Sequence, residues 1–267
     1  MTTINGRRAV VTGGASGIGR GIAEELIGDG AEVVIADIDE AALAATAREI
    51  GAHAIAVDVA DPHSVHALAE QAEAVLGGVD IVVNNAGVGP LAPLEDLTLA
   101  DWRWILDVNL YGVIHGVHEF LPRLKANSHG GHLVNTASMA AFSPAPGLGA
   151  YAVSKYGVAA LTEVLDLELR QANSDVRVTL LAPGTVTTNI KESLRHRPAG
   201  DGETGLRDVD ISKGLAGDVR WITPREAGRI LCDAILGNDL YAITHPEWWH
   251  MVDERQAAIR QAFHRVG

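Results

Sequence analysis

The chain has 267 residues, 47% hydrophobic and only 4% aromatic, with 29 glycines, which is the composition of a folded α/β protein of small aliphatic side chains and excludes a disordered or fibrous one. With 34 acidic and 21 basic residues the formal charge is −13, and no basic cluster offsets it, so nucleic acid and anionic lipid are disfavoured as partners. No apolar run approaches the roughly 18 residues a membrane span needs, and "MTTINGRRAVVTGG" lacks the apolar core of a leader, so a cytoplasmic location is expected.

The first predicted strand, 7–13, runs into Gly13-x-x-x-Gly17-x-Gly19 and then a helix. Glycines there let backbone approach a pyrophosphate, while the helix N-terminus offers unbonded N–H groups and a positive dipole end; a tight packing turn would need the same small residues. Arg20-Gly21 follows, where an NTPase phosphate loop needs Lys and then Ser or Thr. The second strand, 31–37, ends on Asp37, 18 residues beyond Gly19, close to the distance at which an acid accepts hydrogen bonds from an adenosine ribose. An acid there repels a 2′-phosphate and no Lys or Arg lies at 14–18 or 36–39, so NAD is expected rather than NADP. Asp39 is better placed to cap the next helix.

The third strand, 53–59, brings Asp58 and Val59 to the adenine edge, and Asp61-Pro62 reads as an N-cap with proline in the first turn. The fourth, 80–87, ends in Asn85, Ala86 and Gly87, bordering the adenine ribose; Thr98 before "LADWRW" is a further capping residue. The fifth, 131–138, ends at Ser138. In "YAVSK" a phenol and an ammonium four residues apart share one helix face. A solvated face would look similar, but a cation about 4 Å from a phenol, at an effective dielectric near 20, favours phenolate by roughly 4 kcal/mol, about three pKa units. That brings a group titrating near 10 to about 7, where a general acid–base works best.

The sixth strand, 176–183, precedes 188–223, where glycine and charge break the βα rhythm; a mobile active-site lid is expected there, against a merely solvated loop. Cys232 in "RILCDAIL" reads as a buried helical thiol, and the seventh strand is 241–244. The clusters "HGVH" and "HPEWWH" lack a third ligand or HExxH spacing, so no metal is expected; Trp248 and Trp249 are expected at a helix start or subunit contact. Near-continuous apolarity in the strands means a parallel sheet covered on both faces.

Thr12-Gly13-x-x-x-Gly17-x-Gly19, "NNAG" at 84–87, Asn109 in "DVNLYG", Ser138 in "NTAS", "YAVSK" and Pro183-Gly184 occur in the order found in the classical short-chain dehydrogenase/reductase superfamily, which the chain resembles strongly over 6–190 and loosely beyond. The resemblance implies one domain over 1–267, a Rossmann fold with a doubly wound, seven-stranded parallel sheet and helices on both faces, and an alcohol/ketone oxidoreductase using NAD. By it, Tyr151 exchanges the proton with substrate oxygen, Ser138 orients that oxygen, Lys155 lowers the phenol pKa and binds the nicotinamide ribose, and Asn109 holds a relay water. Pro183, Gly184, Val186 and Thr188 flank the nicotinamide, and Ser16, Ile18 and Ile38 join the cofactor contacts. A homotetramer, or homodimer, is implied through the helices carrying Asn109 and Tyr151 and C-terminal segments.

Enoyl reductases of this superfamily separate Tyr and Lys by six residues and the extended branch spaces its glycines TGxxGxxG; neither fits. An NADP(H)-dependent carbonyl reductase and a catalytically silent nicotinamide sensor stay open as alternatives. Candidate substrate walls are Gly89 to Leu91, Met139, Phe142, Leu148 and the 188–223 segment beside Ser138 and Tyr151, mostly small or apolar, so the expected substrate is a secondary alcohol or ketone on an alicyclic, terpenoid or steroid-like skeleton. Lys191, Arg195 and Arg197 leave room for an acidic substrate group.

Overall fold

The computed structural model describes residues 2–209 and 219–264, so 210–218 of the expected lid lie outside the described residues. Seven parallel strands, β1 (Arg8–Thr12), β2 (Glu32–Asp37), β3 (His53–Ala56), β4 (Ile81–Asn84), β5 (Gly131–Thr136), β6 (Val176–Ala182) and β7 (Tyr241–Ile243), form one sheet in the order β3-β2-β1-β4-β5-β6-β7. The order reverses between β1 and β4, and in such sheets ligands bind outside the carboxyl ends of the strands at that crevice.

Adjacent residues on one strand explain the continuous apolar runs. Val11, Ile35 and Val83 point to the side of the sheet covered by α1 (Gly17–Gly28) and α7 (Pro224–Gly237), where they meet Ile22, Leu26 and Leu231. Val10, Val34 and Val82 point to the other, where Leu68 of α3 (Pro62–Leu76), Phe120 of α5 (Gly112–Ala126) and Leu165 of α6 (Gly149–Gln171) cover them. Successive side chains leave a strand on opposite faces, so both sets of alternating positions must be apolar.

The helix starts behave as their sequences require. Asp39 accepts from Ala42 N at the start of α2 (Glu40–Ile50), and Asp61 accepts from His63 N with Pro62 at the first turn of α3. Thr98 and Asp101 form a reciprocal capping box at α4 (Leu99–Leu106). A π-turn, Asp107–Tyr111, joins α4 to α5, and the wider turn carries Asn109.

Some boundaries move. β4 stops at Asn84 rather than running to 87, because Asn85 N and Ala86 N turn to Thr12 Oγ1, at 2.9 and 3.1 Å. β3 stops at Ala56 rather than 59; Asp58 N instead bonds Ser64 Oγ and its carboxylate caps Ala60 N. Cys232 is buried in α7, with its thiol pushed up to about 12 by burial, which makes it unreactive. Trp248 stacks on His245 with centroids 4.9 Å apart, and Trp249 opens the last helix, α8 (Trp249–His264), largely exposed. Among the described residues no helix is long and apolar enough to cross a membrane.

Candidate active site

The carboxyl ends of β1, β2, β4, β5 and β6 converge on one cleft. At β1 the chain closes tightly on itself. Gly13 has φ +66°, and a Cβ on Gly19 would lie 2.1 Å from Gly13 O, so only glycine fits. Ser16 occupies the N-cap of α1 without a side-chain cap bond, and no acid lies in the first turn, which leaves the helix N-terminus for an anion; Ile18 lies in that turn. Asp37 completes this end: its two carboxylate oxygens accept from Ala15 N and Asp39 N, each at 3.1 Å, and Ile38 beside it is half exposed. A carboxylate oxygen accepts more than one hydrogen bond, so capacity remains for a ribose diol. A glycine cradle, an uncapped helix start and an acceptor at this distance fit a dinucleotide. Of the adenine-edge candidates, Val59 is buried and Asp58 exposed.

Deeper in the cleft, Ser138 and Tyr151 come from the loop after β5 and the first turn of α6, and the Ser138 hydroxyl, which donates to Pro183 O at 3.5 Å, lies close enough to the phenol to draw its pKa down. Ser138 Oγ also accepts from Ala140 N at 3.1 Å, which fixes its rotamer beside the phenol. One turn along α6, Lys155 is buried, donates to Thr136 O at 3.0 Å and sits 5.7 Å from the Tyr151 ring centroid. Gly87 brings the loop after β4 against this group: a Cβ there would lie 3.1 Å from Asn109 Oδ1 and 3.6 Å from Lys155 Nζ.

One expectation changes in the light of this geometry. The tyrosine was expected near 7; burial instead pushes the phenol up, with only the Ser138 hydroxyl pulling it down. The ammonium is turned to the Thr136 carbonyl and contributes nothing to the phenol's shift; burial lowers Lys155 itself to about 8. The Asn109 side chain bonds Val88, accepting from Val88 N at 2.8 Å and donating to Val88 O at 2.9 Å. It pins the π-turn to the loop after β4, and its third bond, donated to Ser154 Oγ at 3.3 Å, ties both to α6.

After β6, Pro183 O accepts from Met139 N at 2.9 Å and Gly184 N donates to Thr244 Oγ1, which holds this loop beside Ser138. Val186 is buried and bridged to Ile222. Thr188 lies over the glycine turn, its Cγ2 3.3 Å from where a Gly17 Cβ would be. Met139 is buried, while Phe142 and Leu148 are partly exposed at the rim. The described part of the expected lid is anchored rather than loose: Ser193 Oγ accepts from Gly89 N, Leu91 pairs with Arg207, and Arg197 meets Asp101 at 3.0 Å. Ile190 fills the space above Gly89, where a Cβ would come within 2.9 Å of it and 3.8 Å of the Tyr151 ring.

Several members of this site carry no local signal. Thr136, Ser154, Ile190, Ser193 and Asp101 are ordinary residues until the fold assembles them. His245, seen in sequence only as part of a histidine cluster, bonds Thr244 Oγ1 through Nδ1 at 2.7 Å and Arg220 O through Nε2 at 3.0 Å, joining β7 to the far end of the lid segment.

A model of the short chain dehydrogenase family matches residues 7–199. The chain belongs to that family. It is 42% identical over 199 residues to "Probable oxidoreductase EphD" of Mycobacterium tuberculosis, covering 72% of this chain but only 33% of that protein. The chain thus spans about a third of the length of that relative. The 1-deoxy-11-beta-hydroxypentalenate dehydrogenase of Streptomyces exfoliatus is 38% identical, with 77% of each chain covered. The 3beta-hydroxysteroid dehydrogenase 2 of Eggerthella lenta is 33% identical, with 83% of this chain and 84% of that one covered. Among solved structures, a short chain dehydrogenase/reductase from Burkholderia phymatum in complex with NAD superposes with a TM-score of 0.91 at 34% identity, over 98% of this chain and 97% of that one.

Proposed function

We propose that the protein is an NAD-dependent dehydrogenase, one domain over its length, that interconverts a secondary alcohol and a ketone. The observation that carries this is the Ser138 hydroxyl beside the Tyr151 phenol, with buried Lys155 one turn behind them and 5.7 Å from the ring centroid, at the end of a cleft whose other end is the glycine cradle. A nicotinamide bound in that cleft supplies or accepts the hydride. Tyr151 gives or takes the proton at the substrate oxygen, Ser138 holds that oxygen, and Lys155, still largely protonated at neutral pH, binds the nicotinamide ribose. Asn109 keeps the loop after β4 in place against Lys155.

NAD rather than NADP is supported by Asp37, whose carboxylate repels a 2′-phosphate, and by the NAD complex of the similar structure. An alicyclic, terpenoid or steroid-like substrate is supported by the apolar rim of Phe142, Leu148 and Ile190 and by the two relatives named as hydroxypentalenate and hydroxysteroid dehydrogenases. A homotetramer, or homodimer, is supported by Tyr111, Val153, Val164 and Leu167, exposed apolar side chains on the π-turn and α6.

The test is a panel of hydroxysteroids, other cyclic alcohols, polyols and sugar phosphates with NAD and NADP, read by absorbance of the reduced cofactor. Turnover of cyclic secondary alcohols that falls at least ~100-fold in Tyr151→Phe, with NADH binding kept, supports the reading. Activity confined to polyols or sugar phosphates would sink the substrate class, and an undiminished Tyr151→Phe would sink the mechanism.

A further inference from the structure

The lid segment does not only roof the substrate. Its turn Ile190–His196 crosses the opposite end of the cleft, where Glu192, Arg195 and His196 face Ser16, Asp37 and Asp39 across a cavity of about 350 Å³. The apolar end of the same turn, Ile190, lies by Gly89 and Tyr151, so the two ends address the two ends of the cleft. Arg195, taken from sequence as a partner for an acidic substrate, lies at the cofactor end instead.

The cavity walls are complementary in kind. On one side the Asp37 carboxylate, with one backbone N–H on each oxygen, keeps acceptor capacity. On the other, Arg195 uses Nη1 for Glu192 O and Glu192 Oε2, both at 3.3 Å, and among the described residues the rest of its five-donor fork has no partner. That pair is half exposed and three residues apart, so exchanging it for a stronger anion costs little. The uncapped start of α1 lies on the same floor. Acceptors for hydroxyls facing a bidentate cation is the composition that recognises a ribose carrying phosphate.

We infer that Arg195 binds a phosphoryl group borne on the adenosine ribose of the dinucleotide, making the Ile190–His196 turn a wall of the cofactor site. This rests on the nicotinamide reading above and deepens it. Asp37 takes the diol and Arg195 the phosphate. Cofactor binding then braces the turn whose other end places Ile190 beside Tyr151, so the adenosine half, which is remote from the reaction, helps hold the substrate wall.

Calorimetric titration of adenosine, ADP-ribose and 2′,5′-ADP into the wild type, Arg195→Ala and Arg195→Lys tests it. ADP-ribose affinity falls about tenfold in Arg195→Ala, recovers in part in Arg195→Lys, and adenosine affinity is the same in all three. If only 2′,5′-ADP responds, the phosphate is the 2′ one, which overturns the inference, because Asp37 then has no intact diol to take, and removes the support for NAD over NADP. On the wild type alone, added salt weakens ADP-ribose more than adenosine, and ADP-ribose slows amide exchange across 190–196. Equal affinities of both phosphorylated ligands for wild type and Arg195→Ala, or unchanged exchange at 190–196, overturn the inference. In that case the nicotinamide reading survives as long as the wild type binds ADP-ribose and Asp37→Ala weakens it. If the wild type binds neither ADP-ribose nor NADH, both readings fall.

Discussion

Asp101, fully buried in the first turn of α4, holds the guanidinium of Arg197 at 3.0 Å. The same carboxylate accepts from Thr98 N, Thr204 Oγ1 and Gly205 N. One side chain thus completes a helix cap and fastens both arms of the lid segment, 197 and 204–205, to the body of the sheet.

Asp101→Asn leaves a buried guanidinium without its counter-charge, which costs about 3–5 kcal/mol. The melting temperature falls by several degrees and KM for bulky apolar alcohols rises more than kcat falls, because the chemistry at Tyr151 is untouched. A thermal melt with steady-state kinetics checks this, and an unchanged melting temperature would remove Asp101 from the lid's support.

Asp37→Ser removes both the negative charge facing a 2′-phosphate and the acceptor for the ribose diol. The proposed preference for NAD over NADP, read as the ratio of kcat/KM values, drops by about 10- to 100-fold, most of it through weaker NAD binding. Part of any loss of stability comes from Ala15 N and Asp39 N, which lose their acceptor.

Lys155→Met trades function for stability. Burial lowers the ammonium to about 8 from an ordinary 10.5, so the folded state releases a proton that the unfolded chain keeps. The resulting penalty is absent above about 10.5, grows as pH falls to about 8 and is constant below, on the order of 3 kcal/mol at pH 7, offset by the bond to Thr136 O. Measured without cofactor, Lys155→Met therefore melts higher than the wild type at pH 7, the difference closing toward pH 10.5, while turnover is lost. A lower melting temperature at pH 7 would show that the Thr136 bond outweighs desolvation.

His132 is buried at the opposite end of the sheet, bonded to Thr179 Oγ1 at 2.8 Å, and burial holds it down at about 3. Its unfolded form titrates near 6.5, so the unfolded state gains protons first as pH drops and stability is lost between about 6.5 and 3. At pH 5 the loss is about 2 kcal/mol relative to pH 7. His132→Gln flattens the decline in melting temperature from pH 7 to 5. A slope identical to the wild type's would assign the acid sensitivity to other groups.

The features legible in sequence are those that a few neighbouring residues decide. The glycine turn was readable because the need for φ > 0 and for space at Gly13 and Gly19 is imposed within seven residues of chain. The seven strands and the caps at Asp39, Asp61 and Thr98 were readable for the same reason, since periodicity and capping are local. "YAVSK" put Tyr151 and Lys155 on one helix face, and the helix does so. Its electrostatic consequence was not readable: the sign of the phenol shift depends on how many neighbours exclude water and on where the ammonium finds an acceptor, and Thr136, which decides the second, lies on another strand.

Sequence by itself determined the family's order of motifs, the parallel sheet and the shared helix face of Tyr151 and Lys155, because each is written in short-range spacing. Tertiary structure alone decided which lysine and arginine face which acid: Arg197 closes onto Asp101 and Arg195 turns to the Asp37 end, although the two arginines are two residues apart. Burial and approach distance set the energies of charged groups, and both are properties of the assembled elements, absent from any window of the chain.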